Sequence, residues 1–350
     1  MTNDTPPTNE TPQRRPRLTP AIADIRRAVR ASLAQLEPAG ASVADVLVGL
    51  SGGPDSLALA AATAFEASRA GIRAGAVIVD HGLQDGSDAV AMRAAAQASA
   101  LGLDPVVVER VEVGTEGGPE AAARTARYAA FESVRERTGA RRVLLAHTLD
   151  DQAETVLLGL ARGSGPVSLR GMASDGDLYL RPLLGTRRET THRFCKDSGL
   201  DAWQDPQNGD PAYARVRVRE RVLPLLESEL GPGVAEALAR TAEQLREDSD
   251  ALDGLAMDWA LELTSQTEDG EVALDIGGLA ADPAALRQRI IRLVVSEEFG
   301  VSLERVHTLA VAELITGWHG QKTLDLPGVR VVRRRGQLIF SPALPPSAGH

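Results

Sequence analysis

The segment with the clearest chemical potential is Ser51–Ser56, with the sequence Ser-Gly-Gly-Pro-Asp-Ser, between the apolar run Val46–Leu50 and the apolar-periodic stretch Leu57–Ala67. A strand, a glycine-rich turn and a helix in this order form a phosphate cradle, because backbone N–H groups and the helix dipole point at one anion. Asp55 adds a carboxylate that can hold Mg²⁺ against phosphates. An ordinary turn ending in a helix N-cap is the alternative interpretation.

The loop differs from a Walker A loop, which requires a lysine directly after a glycine. The chain contains only two lysines, Lys196 and Lys322, and neither follows a glycine. An aspartate in the loop and the missing lysine favour pyrophosphate as the group held. We therefore expect cleavage of ATP to AMP and pyrophosphate.

A second candidate group starts at His147, where an apolar strand is predicted to end and a helix to begin. His147, Asp151 and Glu154 are spaced by four and three residues and so share one helix face. Such a group can bind a metal, position a nucleophile or carry a proton. A buried structural histidine and helix capping by Thr148 are the alternatives. Zinc is not favoured because no second His or Cys lies nearby, whereas Mg²⁺ shared by Asp55, Asp151 and ATP phosphates fits.

Strand and helix patterns alternate through the first half of the chain. This alternation predicts an α/β fold with a doubly wound, mainly parallel sheet, whose ligands bind beyond the carboxyl ends of the strands. The phosphate loop, the segment from Asp80 and the segment from His147 all follow strands, so we expect them at one edge. The predicted strands are 44–50, 74–80, 105–113, 142–146 and 178–183; the predicted helices are 55–69, 88–100, 120–137, 149–160 and 187–198.

The alternation stops near residue 220. Helices are predicted over 216–230, 234–263, 283–298 and 303–316, with a turn or linker at 265–270 and short strands within 322–340. We therefore expect a catalytic domain over 21–220 and a second, mainly helical domain over 221–340 that ends in a small sheet. Polar residues at 1–20 and 341–350 indicate disordered tails.

The charge of the chain is unevenly distributed. A net charge of −10 is unfavourable for nucleic-acid binding as a whole. Arginines are nevertheless concentrated within 181–221 and 330–335, and arginine binds phosphate bidentately. Solvated surface faces are the alternative explanation of both clusters.

The cysteine count and the apolar segments indicate where in the cell the protein is expected. Cys195 is the single cysteine, which excludes a disulfide within the chain and a paired-cysteine metal site. No apolar run is long enough to span a membrane, and the first residues lack the apolar core of a signal peptide. We expect a cytoplasmic protein that does not bind a membrane.

A series of motifs in chain order resembles the tRNA(Ile)-lysidine synthetases, within the N-type ATP pyrophosphatase superfamily, also called the PP-loop superfamily. The resemblance covers about residues 45–225, and it implies a sheet of the adenine-nucleotide alpha-hydrolase type. The matching motifs are Ser51–Ser56, Val79–Leu83, Glu120–Tyr128, Leu145–Thr155, Arg162–Gly165 with Gly171-Met172, Arg181–Leu184, Asp205-Pro206-x-Asn208 and Arg215-x-Arg217-x-Arg219.

The resemblance implies a specific reaction and a set of site residues. ATP adenylates O2 of the cytosine at the first anticodon position of an isoleucine tRNA with a CAU anticodon, and the side-chain amine of free L-lysine then attacks C2. Catalytic residues would be Asp55, His147, Asp151 and Glu154, with Mg²⁺ on Asp55 and Asp151. ATP-binding residues would be Ser51, Gly52, Gly53, Pro54, Asp55, Ser56, Asp80, His81 and Arg124, and tRNA-binding residues Arg162, Arg215, Arg217, Arg219, Arg333 and Arg334.

Two other functions use the same loop. An ammonia-dependent small-molecule ligase similar to NAD synthetase would not need the arginine clusters or a second domain. A non-catalytic nucleotide sensor would bind ATP without cleaving it, and would tolerate loss of Asp55, Asp151 and Glu154. The sequence also leaves a homodimer open.

Overall fold

The computed structural model describes residues 18–36, 44–82, 84, 86–116, 118–163, 165–205 and 209–343. The chain divides into two compact units, Met1–Glu243 and Gln244–His350. This division falls inside a long helix, Val234–Leu263. The domain boundary near residue 220 stays a prediction. No helix within the described ranges is long and apolar enough to cross a membrane.

The first unit is built on a five-stranded sheet in which all strands are parallel, with the order β3-β2-β1-β4-β5. This order confirms the predicted doubly wound α/β fold. Each observed strand is as long as, or shorter than, the strand that the sequence predicted at that place. The strands are β1 Val46–Gly49, β2 Ala74–Asp80, β3 Val106–Arg110, β4 Arg142–Leu144 and β5 Tyr179–Leu180.

Helices connect and cover these strands. Those of the first unit are α1 Pro20–Leu33, α2 Pro54–Ala70, α3 Ser87–Ala100, α4 Pro119–Thr138, α5 Leu149–Ala161, α6 Pro166–Leu169, α7 Arg188–Ser198, α8 Ala214–Arg217 and α9 Leu223–Leu230. The longest helix, α10 Val234–Leu263, has the predicted bounds. The short α6 lies between the predicted helix 149–160 and the predicted strand 178–183, where the sequence predicted no helix or strand.

Helix α1 was absent from the sequence prediction, which assigned residues 1–20 to a disordered tail. Thr19 caps the helix and Pro20 is its first residue. Residues 1–17 lie outside the described part. Ile25 and Val29 are fully buried against α2 and α7, so α1 belongs to the core of the first unit. Arg30 of α1 also forms an ion pair with the buried Glu66 of α2, with Nε and Oε2 2.8 Å apart.

The helix predicted over 216–230 is interrupted. A π-helical turn, Val218–Val222, separates α8 from α9. Pro224 is the second residue of α9, and a proline has no N–H with which to continue the α-helical ladder. π-Helical turns widen a helix locally and are frequent at functional sites.

The second unit contains an antiparallel sheet with the order β6-β7-β10-β9-β8. Its elements are β6 Thr264–Gln266, β7 Val272–Asp275, α11 Ile276–Ala281, α12 Ala284–Phe299, α13 Arg305–Thr316, β8 Leu324–Leu326, β9 Val329–Arg334 and β10 Gln337–Pro342. Helices α12 and α13 and the terminal strands β8, β9 and β10 were predicted, whereas β7 and α11 were not. The predicted linker 265–270 begins inside β6, and Ser341 and Pro342, assigned to a tail, end β10; residues 344–350 lie outside the described part.

Candidate active site at the carboxyl edge of the parallel sheet

The topology fixes where the two candidate segments meet. Strand β1 lies between β2 and β4, so the direction of winding reverses between β1 and β4. Ligands of doubly wound sheets bind in the crevice outside such a reversal. The phosphate loop follows β1 and the segment from His147 follows β4, which brings both to this crevice.

Hydrogen bonds from its own side chains fix the conformation of the phosphate loop. The Ser56 hydroxyl donates to the Gly53 carbonyl oxygen at 3.0 Å and accepts from the Ser51 backbone N–H at 3.2 Å. Gly52 has a φ of +84°, a left-handed conformation that favours glycine. Gly53 is the N-cap of α2 and has no side chain that could cap the helix, so no capping side chain occupies the first N–H groups of α2. The loop therefore has the geometry of an anion site.

Helix α5 begins with a complete capping box. Thr148 accepts from the backbone N–H of Asp151, and Asp151 Oδ2 accepts from the Thr148 N–H and hydroxyl, each at 2.8 Å. The capping interpretation of Thr148 is thus confirmed. It uses only one oxygen of Asp151, and Oδ1 remains directed at other partners.

Glu154 lies one turn further along α5 and is fully buried. Arg219 donates to it through two nitrogens, Nε to Oε1 at 2.8 Å and Nη2 to Oε2 at 3.1 Å. Arg215 Nε lies 3.9 Å from Oε2. Two arginines predicted to contact tRNA therefore belong to the acidic group of the crevice in this structure.

Arg188, the first residue of α7, joins the two candidate segments. Its Nη2 donates to Asp151 Oδ1 at 2.7 Å and to Glu154 Oε1 at 3.1 Å, and its Nε lies 3.6 Å from Asp55 Oδ2. Asp55 also accepts a hydrogen bond from the hydroxyl of Thr191 on the same helix. Three carboxylates from the loop and α5 thus converge on one guanidinium.

The same contacts perturb the acids and bases of the crevice. Burial raises the pKa of Asp55 above its usual value, because its contacts with Thr191 and Arg188 offset the cost of burying a charge only in part. Burial also acts to raise the pKa of Asp151, but Arg188 and the Thr148 hydrogen bonds outweigh it and lower that pKa. The two carboxylates therefore differ in their tendency to bind a proton.

His147 is neutral at physiological pH. Burial, together with the positive charges of Arg181, Arg124 and Arg215, lowers its pKa to about 4, although Asp151 opposes the shift. Its Nδ1 is buried and has no hydrogen-bond partner among the described residues. A neutral imidazole with a free ring nitrogen is suited to accept or donate a hydrogen bond to a ligand.

The other predicted ATP-binding residues lie after β2 and on α4. Asp80 is buried, and hydrogen bonds from Ser87 and from the Gly82 N–H, together with Arg110, lower its pKa. His81 Nε2 accepts from Arg127 Nε at 3.4 Å. Arg124 is exposed, with its guanidinium 4.7 Å from the centre of the Tyr128 ring. Arg124 and Tyr128 line a cavity of about 410 Å³, together with Thr125, Ala129 and Glu132.

The remaining predicted tRNA contacts are distributed differently. Arg162 and Arg217 are exposed, and Arg217 donates to the carbonyl oxygens of Pro211 and Ala212. In the second unit, Arg333 donates to the carbonyl oxygens of Leu314 and Ile315 in the last turn of α13 at 2.7 and 3.3 Å. It therefore caps that helix. Arg334 is exposed and lies 3.4 Å from Glu271.

Arg188 and Thr191 were not among the predicted site residues. Arg188 was noted only as one member of an arginine-rich stretch, and Thr191 was not considered. Their spacing of three residues on one helix was a readable signal for a shared face. Their partners, however, are 34 to 136 residues away in the chain, and only the packing of α7 identifies them.

The chain is similar to known proteins over both units. Residues 25–226 match the model of the PP-loop domain, and residues 274–339 match that of the TilS substrate binding domain. A tRNA(Ile)-lysidine synthase of Leifsonia xyli is 71% identical over 297 residues, covering 85% of this chain and 90% of the relative. One of Thermobifida fusca is 53% identical over 325 residues, covering 92% and 98%.

A solved structure has a similar fold. The U34-tRNA thiolase NcsA of Methanococcus maripaludis, determined with its [4Fe-4S] cluster, superposes with a TM-score of 0.52 and covers 65% of this chain and 80% of its own. The two sequences are 20% identical, so the likeness concerns the fold alone.

Proposed function

We propose, since the chain belongs to the tRNA(Ile)-lysidine synthase family, that it uses ATP to convert the cytidine at the first anticodon position of isoleucine tRNA to lysidine. ATP adenylates O2 of the cytosine and pyrophosphate leaves. The side-chain amine of L-lysine then attacks C2 and AMP leaves. Adenylation is needed because a carbonyl oxygen is a poor leaving group and AMP is a good one.

One observation carries the assignment of the reaction to the crevice. Asp55 of the phosphate loop and Asp151 of α5 contact the same guanidinium of Arg188, at 3.6 and 2.7 Å. The group that binds phosphate and the group on α5 therefore face one another closely enough to share a nucleotide. Cleavage of ATP next to an acceptor base requires this proximity.

The protein's own residues supply distinct functions in this proposal. The open N–H groups of the phosphate loop and the start of α2 bind the pyrophosphate portion of ATP. His147, kept neutral, forms a hydrogen bond at the reacting base or nucleotide. The exposed Arg162 and Arg217 bind tRNA phosphates, while Arg215 and Arg219 act from within the crevice.

Mg²⁺ is part of the proposal and fits the donors present. Within the described ranges no cluster of three or more His, Cys, Asp or Glu side chains is arranged to bind a metal. Mg²⁺ bound with a nucleotide needs only one or two carboxylates, because phosphate oxygens and water complete its shell. Asp55 and Asp151 already converge on one cationic group and meet that need. When bound, Mg²⁺ would neutralise negative charge on the departing pyrophosphate.

The decisive experiment is pyrophosphate release with ATP, labelled L-lysine and unmodified isoleucine tRNA with a CAU anticodon. A tRNA with uridine at the first anticodon position is the matched control. We expect pyrophosphate release and lysine incorporation only with the cytidine form. Release without tRNA would replace the proposal by a small-molecule ligase, and binding of ATP without any release would replace it by a nucleotide sensor. We also propose a cytoplasmic location; a homodimer stays a prediction.

A further inference from the structure

Helix α7 makes three separate contacts with the candidate active site from one face. Arg188, Thr191 and Cys195 are spaced by three and four residues and so lie above one another. Thr191 and Cys195 are buried, and the Arg188 side chain is 18% exposed. This face is packed against the phosphate loop on one side and the start of α5 on the other.

Two of these contacts reach the phosphate loop. The Thr191 hydroxyl donates to Asp55 Oδ1, and Cys195 Sγ lies 3.3 Å from the carbonyl oxygen of Pro54, to which it donates. The Thr191 hydroxyl also lies 2.7 Å from the Arg188 carbonyl oxygen, the usual acceptor for a threonine inside a helix. A hydroxyl has one proton, and an ionised carboxylate is the stronger acceptor, so the bond to Asp55 dominates.

The other contacts reach α5. The backbone N–H of Arg188 donates to Asp150 Oδ2 at 2.7 Å, and the Leu149 N–H donates to the Thr186 carbonyl oxygen at 2.9 Å. The guanidinium of Arg188 binds Asp151 and Glu154. The start of α7 is thus attached to the start of α5 through the backbone as well as through side chains.

We infer that Arg188 and Thr191 are positioning residues, which hold Asp55 of the phosphate loop at a fixed distance from Asp151 and Glu154 of α5. The inference rests on the proposed function for its reaction but not for its geometry. Asp55 follows β1 and Asp151 follows β4, so the strands alone bring the two backbones to the crevice. A rigid helix that binds both carboxylates is what fixes their side chains, and such preorganisation raises rates without touching the substrate.

The test separates the Thr191 hydroxyl from the shape of its side chain. Thr191→Val preserves the shape and removes the donor, whereas Thr191→Ser keeps the donor and removes a methyl group. Thr190→Val makes the same change as the first variant at the neighbouring position of α7 and is the matched control. Each variant is assayed for pyrophosphate release, for equilibrium binding of ATP with Mg²⁺, and for tRNA binding.

We expect Thr191→Val to lower kcat/KM for ATP by about 10- to 100-fold, the size of a lost hydrogen bond to a charged group. ATP binding with Mg²⁺ should weaken, while tRNA affinity should stay at the wild-type value. Thr191→Ser and Thr190→Val should stay near wild type. Equal losses in Thr191→Ser and Thr191→Val would overturn the inference, because the shape and not the hydroxyl would then matter, and so would wild-type kinetics in Thr191→Val.

Two further measurements test the positioning role if Thr191→Val does not fold or if the wild type is inactive. If Thr191→Val does not fold, Arg188→Lys keeps the positive charge but loses the fork that joins the carboxylates, and it should impair ATP use with tRNA binding intact; full activity would refute the positioning role. If the wild type releases no pyrophosphate with any tRNA, the proposed function fails. Equilibrium binding of ATP and Mg²⁺ to Thr191→Val then decides the positioning role without turnover.

Discussion

The buried ion-pair group around Glu154 gives the sharpest quantitative prediction. Glu154 is fully buried and accepts three charge-assisted hydrogen bonds, two from Arg219 and one from Arg188, at 2.8 to 3.1 Å. Glu154→Gln keeps the size of the side chain but removes its charge. The amide retains one acceptor oxygen and turns an NH₂ group towards guanidinium donors.

The expected loss can be worked from these contacts. Breaking a buried pair by neutralising one partner costs about 3–5 kcal/mol. The side chains of Arg188 and Arg219 are 18% and 24% exposed, so water solvates part of the released charge. We therefore expect the free energy of unfolding of the first unit to fall by about 3 kcal/mol, a decrease in Tm of about 6–12 °C for a unit of this size.

The assay is differential scanning calorimetry without ligands, with hydrogen exchange of α5 peptides to localise the effect to the first unit. Glu236→Gln is the matched control, because Glu236 is 38% exposed and lies 3.5 Å from Arg187. A surface pair of this kind contributes about 0–1 kcal/mol. If Glu154→Gln changes the stability no more than Glu236→Gln, the ion-pair group does not hold α5, α7 and the π-helical segment together.

Three further predictions concern individual residues. Asp55→Asn should abolish pyrophosphate release while leaving Tm unchanged or higher, because burial already disfavours the charge; a turnover assay and a thermal melt check this. His147 has a pKa of about 4 when folded and about 6.5 when unfolded, so the unfolded chain binds more protons between these values and stability should fall by up to about 3 kcal/mol as pH drops from about 6.5 to 4. Urea unfolding across that range should show this slope in the wild type and lack it in His147→Gln. Arg333→Ala should destabilise the second unit by about 1–2 kcal/mol through loss of the α13 cap, whereas Arg334→Ala should not; equal melts of the two variants would contradict the capping role.

Some of the fold was readable because its signals are local. The order of apolar runs predicted the parallel sheet, and α10 matched its predicted bounds. Helix α1 had such signals too, since Thr19 and Pro20 mark a start and Ile22, Ile25 and Val29 follow with helical spacing. The helix was missed because the disordered tail predicted for residues 1–20 was drawn to include Thr19 and Pro20, the start of α1.

The sequence by itself determined the groups that act through their own neighbours. The phosphate loop and the capping box of Thr148 with Asp151 each complete their main contacts within six residues, so residue type and spacing define them. Tertiary structure decided the partners of the arginines. Arg219 binds the buried Glu154 and Arg333 caps α13, and the sequence indicated neither of these partners; their contact with tRNA stays a prediction. An arginine reaches any carboxylate or carbonyl that packing brings within its length, and neither spacing nor composition specifies which one that is.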